Sequence, residues 1–116
     1  RTQPIPDDSV RTPNRARTLS FARQGRNSRS TQLFFNLVDN SQGLDGADGF
    51  GFPPIGRVTR GAEVLSDLNW EYSGHVLDQL PGPHPDSILA QGNAYLQRNF
   101  PKLDYIKSAR IIYRSR

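Results

Sequence analysis

The sequence has 116 residues, a formal net charge of +4 and a hydrophobic fraction of only 34%. This length fits one domain at most, and ten glycines with nine prolines indicate a loop-rich chain with a thin apolar core. The absence of cysteine excludes a disulfide framework and a thiolate metal site, so the redox compartment stays undetermined.

The charge is uneven along the chain. Seven arginines and two aspartates give residues 1–37 a charge of +5, whereas residues 38–116 carry −1. A basic segment attracts phosphate, but this one lacks interleaved aromatic residues and a helix-turn-helix pattern. We therefore do not expect a nucleic-acid partner. Without a run of roughly 20 apolar residues, we expect a soluble or peripheral protein with no transmembrane segment. Its compartment is unknown, and an organelle is one option.

The first elements predict a hairpin-like unit. Prolines make residues 1–17 an extended lead-in. A strand is predicted at residues 18–22, followed by a nine-residue polar loop at 23–31 with three arginines. The second strand, residues 32–38, is apolar on both faces except at two positions. Such a strand is typical of the centre of a sheet.

Glycine and proline shape the next stretch. Residues 39–43 predict a turn, and residues 49–54 are too rich in glycine and proline for a regular element. Residues 55–59 predict a short strand that Gly61 ends.

The remaining residues predict two helices, a loop and a closing strand. Apolar spacing favours a helix at 62–70, and residues 71–85 read as a surface loop. Asp86 is the predicted N-cap of a second helix that runs through residue 99. Residues 105–113 predict the closing strand. The chain thus divides into a lead-in at 1–17, a central block at 18–61 and a final part at 62–116.

Sites that use a metal, a cofactor or a nucleophile are not supported by the sequence. His75 and His84 stand nine residues apart in a loop without other ligand candidates, so we predict no metal site. The glycine-rich run at 43–51 carries Asp45 and Asp48 and no lysine, which disfavours phosphate. No serine stands in a glycine-framed elbow, and no cofactor is implied.

An apolar pocket with a polar rim is the site that the residues favour. Gln32 and Phe34 share one strand face by the two-residue period, and Leu44 follows the next turn. Together they could hold a small apolar ring such as proline. An ordinary packing role for Phe34 and Leu44 is the alternative.

Several motifs of the central block resemble the cyclophilin-type peptidyl-prolyl isomerases in both identity and spacing. They are Thr18-Leu19-Ser20-Phe21-Ala22, Gly25, Asn27, Thr31-Gln32-Leu33-Phe34-Phe35, Leu44-Asp45-Gly46, Ile55-Gly56-Arg57-Val58 and Gly61. The tail, residues 92–109, resembles the C-terminal end of a bacterial-like branch, so the similarity covers most of the chain from about Ile5.

The resemblance implies a mainly β fold with two helices, the later part of an eight-stranded antiparallel barrel that is incomplete as the sequence stands. The strand with the family's catalytic arginine would precede Arg1, so the catalytic residue is unknown and whether the chain is an enzyme stays open. Among substrate-binding positions, Ala22 and the backbone of Arg23 match the rim, Gln32 a substrate contact, and Phe34 and Leu44 the proline pocket.

Three departures from the family pattern bear on the pocket. The family commonly has asparagine and alanine where this chain has Arg23 and Gln24, and an aromatic residue where it has Gly43. A histidine usually follows the Asp45-Gly46 pair, where this chain has residues 47–49 instead. The pocket is therefore expected to be open on one side.

The resemblance implies an isomerase that binds X-Pro peptides and assists protein folding, with proline-containing peptides or proteins as partners. The alternative is a catalytically degenerate module that serves as a structural or binding subunit of a larger assembly. In both cases the apolar face beside Leu33, Phe35 and Leu37 needs a cover, from a missing N-terminal part or from neighbouring subunits. Residues 1–116 alone are therefore not expected to fold independently.

Overall fold

The structure, a computed structural model, describes residues 3–69, 72 and 82–113. Its backbone divides into two compact units, Arg1–Ser66 and Asp67–Arg116. The first unit holds an antiparallel sheet, and the second holds a helix of 15 residues. None of the helices in the described ranges has the length and apolar content that crossing a membrane would require.

The sheet is small, open and antiparallel, with the order β2-β1-β3. Its strands are β1 at Thr18–Phe21, β2 at Leu33–Phe35 and β3 at Pro54–Arg57. Ser20 in the central strand lies opposite Phe34 on one side and Pro54 on the other, with a register shift after Leu19 toward β3. Pro54 has no N–H to donate, and it lies on an edge strand, where proline is tolerated. Three paired strands are compatible with a fragment of the family barrel.

The second strand was predicted to lie in the centre of the sheet, and this prediction is wrong. β2 is an edge strand, and β1 takes the central place. Leu33 is 51% exposed and Phe35 is 42% exposed, whereas Asn36 just after the strand is buried. The apolar pattern therefore marks a surface that nothing in the described residues covers, as expected for the face beside Leu33, Phe35 and Leu37.

The buried centre of the first unit is polar. Among the described residues no hydrophobic side chain is fully buried, whereas Asn14, Ser20 and Asn36 are at most 1% exposed. Asn14 Oδ1 accepts hydrogen bonds from Ser20 Oγ and from Asn36 Nδ2, each at 3.0 Å. Asn36 Nδ2 also donates to Thr18 Oγ1 at 2.8 Å. Buried polar groups are tolerated only when they are satisfied in this way.

The lead-in contacts the loop between β1 and β2. Ile5 forms a single antiparallel bridge with Arg29, and its N–H donates to the Arg29 carbonyl at 2.6 Å. The Arg29 side chain is buried, donates to the Pro6 carbonyl and pairs with Asp8 at 3.0 Å. The loop at 23–31 is thus partly packed against the lead-in, through residues 5–8.

Short helical turns follow the sheet strands. Ser41–Leu44 forms α1, where a turn was predicted, and Ala47–Gly49 and Ala62–Asp67 are 3₁₀ segments. The helix predicted at 62–70 is therefore a shorter 3₁₀ segment, and its predicted end at Trp70 lies outside the described residues. Most of the loop predicted at 71–85 also lies outside them, with His75.

The second unit is built on α2, Pro85–Asn99. Its N-cap is His84 rather than the predicted Asp86, because His84 Nδ1 accepts the Asp86 N–H at 3.2 Å. Pro85 suits the first helical turn, where its missing N–H costs nothing. Beyond the helix, the Phe100 ring meets Tyr95 edge-on, with the ring centroids 5.6 Å apart.

The predicted closing strand at 105–113 is wrong for this structure. No described residue of that stretch belongs to a strand, and Ile106 and Ile111 are 81% and 77% exposed. A segment becomes a strand only where a neighbouring strand pairs with its backbone groups, and the sheet in the described residues consists of β1, β2 and β3.

Candidate functional site

The rim of the candidate site begins where the β1 and β2 ladder ends. The Ala22 N–H donates to the Gln32 carbonyl at 2.8 Å, which extends the pairing one step beyond the strands. Two of the predicted site residues are thus brought together through their backbones, while the Gln32 side chain is exposed. Because the Ala22 N–H is already bonded, a substrate main chain would have to use other backbone groups of this rim.

Phe34 and Leu44, the predicted pocket residues, both lie next to Phe52. The Phe34 and Phe52 rings meet edge-on, with centroids 5.7 Å apart and an interplanar angle of 80°. The Phe52 N–H donates to the Leu44 carbonyl at 3.0 Å. Phe34 and Leu44 are each half-buried, so they are available for contact at the surface. Phe52 therefore connects the two predicted residues.

Asn14 fixes the segment that carries Leu44. Its backbone N–H and its Nδ2 both donate to Asp45 Oδ1, at 2.9 and 2.7 Å. Nδ2 also donates to the Phe52 carbonyl at 2.8 Å. The buried polar centre of the unit thus holds the residues on both sides of the candidate pocket.

Arg23 contributes more than the backbone that was predicted for it. Its side chain is 1% exposed, and its guanidinium carbon lies 4.2 Å from the ring centroid of Phe50 and 4.4 Å from that of Phe52. Nε donates to the Gly51 carbonyl at 2.9 Å and Nη2 to the Ala47 carbonyl at 3.1 Å. Planar stacking combined with fixed donors is the geometry that arginine provides and lysine does not.

Sequence reasoning missed Phe50 and Phe52 because they stand in a run of glycine and proline that predicted no regular element. The available signal was their spacing of two around Gly51. Gly51 has φ +67°, and a Cβ there would lie 2.1 Å from the Asp45 carbonyl oxygen. This close approach requires glycine.

Charged groups line the edge of the aromatic cluster. Asp48 is 72% exposed and pairs with Arg23 at 3.7 Å. Arg26, which is 70% exposed, pairs with Asp7 at 3.5 Å and lies 4.8 Å from the Phe50 ring centroid. Each pair joins a buried or mostly buried side chain, Arg23 or Asp7, to an exposed one, Asp48 or Arg26.

These groups together form a small, partly exposed apolar surface beside backbone groups of the strand ends. Phe34, Phe52 and Leu44 offer apolar surface for a small ring, and the strand ends at Ala22 offer backbone groups nearby.

The sequence comparison assigns the family. The family model of the cyclophilin type peptidyl-prolyl cis-trans isomerase/CLD matches residues 1–86. The chain therefore belongs to the cyclophilin-type peptidyl-prolyl isomerase family. The match includes every candidate site residue and ends early in α2, so the bacterial-like character of the tail stays a prediction. Neither a curated protein nor a solved structure matches the chain.

Proposed function

We propose that this chain is part of a cyclophilin-type peptidyl-prolyl isomerase that binds X-Pro peptides and assists protein folding. The observation that carries the proposal is the edge-on pair of Phe34 and Phe52 beside Leu44, within the family match. The rings supply apolar surface where the resemblance expects the proline pocket. Ala22, the Arg23 backbone and Gln32 are the proposed substrate contacts around it.

The chemistry required is rotation about a peptide bond. The barrier to that rotation is about 18–20 kcal/mol, and X-Pro isomerisation takes tens of seconds or more without a catalyst. In the family, an arginine donates to the prolyl nitrogen and localises its lone pair. We propose that this chain corresponds to the later part of the eight-stranded barrel, with the tail of a bacterial-like branch. That arginine would then come from the earlier part.

The second candidate is a degenerate module that binds within a larger assembly. Two observations favour it: Arg23 stands where the family commonly has asparagine, and the face with Leu33 and Phe35 is exposed. An exposed apolar face next to unpaired strand edges is suited to protein contacts. In that case a proline peptide would bind without being isomerised.

The test compares two neighbouring phenylalanines on opposite faces of β2. Phe34→Ala should abolish binding of a tetrapeptide with an Ala-Pro bond, because it removes the ring that meets Phe52. Phe35→Ala, the matched control on the exposed face, should leave binding unchanged. Binding and the cis-trans exchange rate are both measured by NMR on the full-length protein, because residues 1–116 alone are not expected to fold and would lack the arginine of the earlier part.

The results separate the two candidates. Binding with faster exchange supports the isomerase, and binding without faster exchange supports the module. Equal effects of Phe34→Ala and Phe35→Ala on peptide binding would show that Phe34 is not part of the binding site. If the unchanged full-length protein binds no peptide, this result contradicts both the isomerase and the peptide-binding module.

A further inference from the structure

The side chain of Arg23 is charged and buried. It lies in the first unit, whose described part contains no fully buried hydrophobic residue. Removing a guanidinium from water is costly unless hydrogen bonds and a counter-charge replace the water. Here the Gly51 and Ala47 carbonyls accept from it at 2.9 and 3.1 Å, and the Asp48 carboxylate lies 3.7 Å away. The protein therefore provides a specific set of partners for this one side chain.

These three partners belong to one short segment, while Nη1 donates a longer bond of 3.5 Å to the Gly25 carbonyl in the loop of Arg23 itself. The two carbonyls stand at positions 47 and 51, so the fork of Arg23 spans the segment between them. The same guanidinium covers the rings of Phe50 and Phe52 at 4.2 and 4.4 Å. One side chain thus joins the start of the loop after β1 to residues 47–52.

The opposite side of this segment is also fixed. Gly51 lies against the Asp45 carbonyl so closely that a Cβ would fall within 2.1 Å of it. The Arg23 guanidinium lies over the Phe52 ring, and the Phe52 and Phe34 rings meet edge-on with their centroids 5.7 Å apart. Loss of the Arg23 side chain would release residues 47–52 on one side. Phe52 could then move away from the Phe34 ring.

We propose that Arg23 is a positioning residue, which clamps residues 47–52 and thereby sets the shape of the aromatic wall formed by Phe34 and Phe52. Through that wall it determines which X-Pro peptides fit. The effect on peptides rests on the proposed function, whereas the clamp itself does not. The family's usual asparagine is too short to reach both carbonyls and both rings, so this wall is particular to chains with arginine at position 23.

The first measurement needs no peptide. In the full-length protein carrying Arg23→Lys, the nuclear Overhauser contact between the Phe34 and Phe52 rings should disappear and the Gly51 amide should shift. The amide shifts of Ser20 and Asn36, which report the buried polar centre, should stay in place. Arg26→Lys is the matched control: Arg26 lies over Phe50 at 4.8 Å but is 70% exposed, so its replacement should preserve the ring contact.

The second measurement is peptide affinity. Arg23→Lys should weaken binding of the Ala-Pro tetrapeptide about tenfold, equivalent to ~1.4 kcal/mol, while Arg26→Lys should change it by less than about twofold. Retention of the ring contact and the Gly51 shift in Arg23→Lys overturns the clamp. Loss of the contact with unchanged affinity overturns its role in selecting peptides. If the unchanged full-length protein binds no peptide, the proposed function fails. The clamp is then tested only by the contact between the Phe34 and Phe52 rings.

A third readout covers the case in which Arg23→Lys does not fold. In the unchanged full-length protein, the Arg23 Nε proton should exchange slowly with water and show a contact to Gly51, because it donates to the Gly51 carbonyl inside the structure. Observing this proton supports the clamp, and its rapid exchange overturns it.

Discussion

Asparagine takes the structural place in the first unit that aliphatic residues take in most small domains. Asn14 uses its side-chain oxygen to accept from Ser20 and Asn36, and its nitrogen to donate toward Asp45 and Phe52. Hydrogen bonds are directional, so this centre specifies one arrangement of its members, but each bond gives only about 0.5–1.5 kcal/mol net. The arrangement is therefore specific and only modestly stable.

Replacement of Asn14 tests that centre. Asn14→Ala should disrupt it, because each buried group that is left without a partner costs about 1–3 kcal/mol. We expect the amide shifts of Ser20 and Asn36 to move toward random-coil values in NMR spectra. Gln42→Ala, an exposed amide on α1, is the matched control and should leave them unchanged. Native shifts in Asn14→Ala would show that the centre does not depend on this residue.

Phe34 shows how burial changes an energetic expectation at a single residue. A fully buried phenylalanine loses about 3–5 kcal/mol on truncation to alanine, but Phe34 is half-buried. Its main specific contact is the Phe52 ring, and such pairs contribute about 0.5–1.5 kcal/mol beyond area. Phe34→Ala should therefore affect peptide binding more than stability.

At the scale of elements, the turn into α1 is held by a carboxylate. Asp39 Oδ1 accepts from the Ser41 hydroxyl at 2.6 Å and from the Ser41 N–H at 3.0 Å. The Ser41 side chain, then the Ser41 backbone, lower the pKa of Asp39 below its usual 3.8, and nearby Arg15 acts in the same direction. The turn that the sequence predicted at 39–43 is thus an Asx-type turn that leads into a helical one.

This contact predicts a pH dependence. Because the pKa of Asp39 is lower in the folded turn than in the unfolded chain, its ionised carboxylate stabilises the folded state, and this stabilisation is fully present above about pH 3.9. It is lost as the pH falls through the lower folded-state pKa. The carboxyl carbon shift of Asp39, followed by NMR, should titrate below 3.8. Ser41→Ala, which removes the largest cause, should raise the pKa, and an unchanged titration would contradict this account.

The strands differ in how well their sequence predicts their place. β1 and β3 form close to the predicted positions. Yet β2 was assigned to the centre of the sheet because both of its faces are apolar. An apolar face indicates that a strand is suited to burial, not that a partner is present to bury it. The same reasoning applies to residues 105–113, which contain three isoleucines and two tyrosines but form no strand in their described structure.

At the scale of the whole molecule, the first unit has an open sheet with an apolar surface. Leu33, Phe35 and Leu37 are 51%, 42% and 60% exposed, and within the described ranges no further strand pairs with the outer edge of β2 or of β3. Buried hydrophobic area is the main source of stability for a domain, and here little is buried in the described residues.

We therefore expect residues 1–116 alone to unfold over a broad temperature range. Circular dichroism should show no sharp transition, because small domains need a substantial apolar core for cooperativity. Amide exchange in residues 33–38 should be fast. A cooperative transition together with strongly protected amides in that stretch would contradict the prediction and show that the chain forms a smaller stable fold.

The sequence by itself determined the family, the positions of β1 and β3, the polar loop at 23–31 and the end of α2 at residue 99. These features depend on local spacing and on motifs that neighbouring residues spell out. Only the tertiary structure decided that Asn14 and Arg23 are buried, that Phe52 meets Phe34, and that β2 lies at an edge. Each of these depends on partners distant in the sequence: Asn14 and Phe52, for example, are 38 positions apart. Periodicity shows which face of an element is apolar, whereas burial is decided by what the rest of the chain places against it.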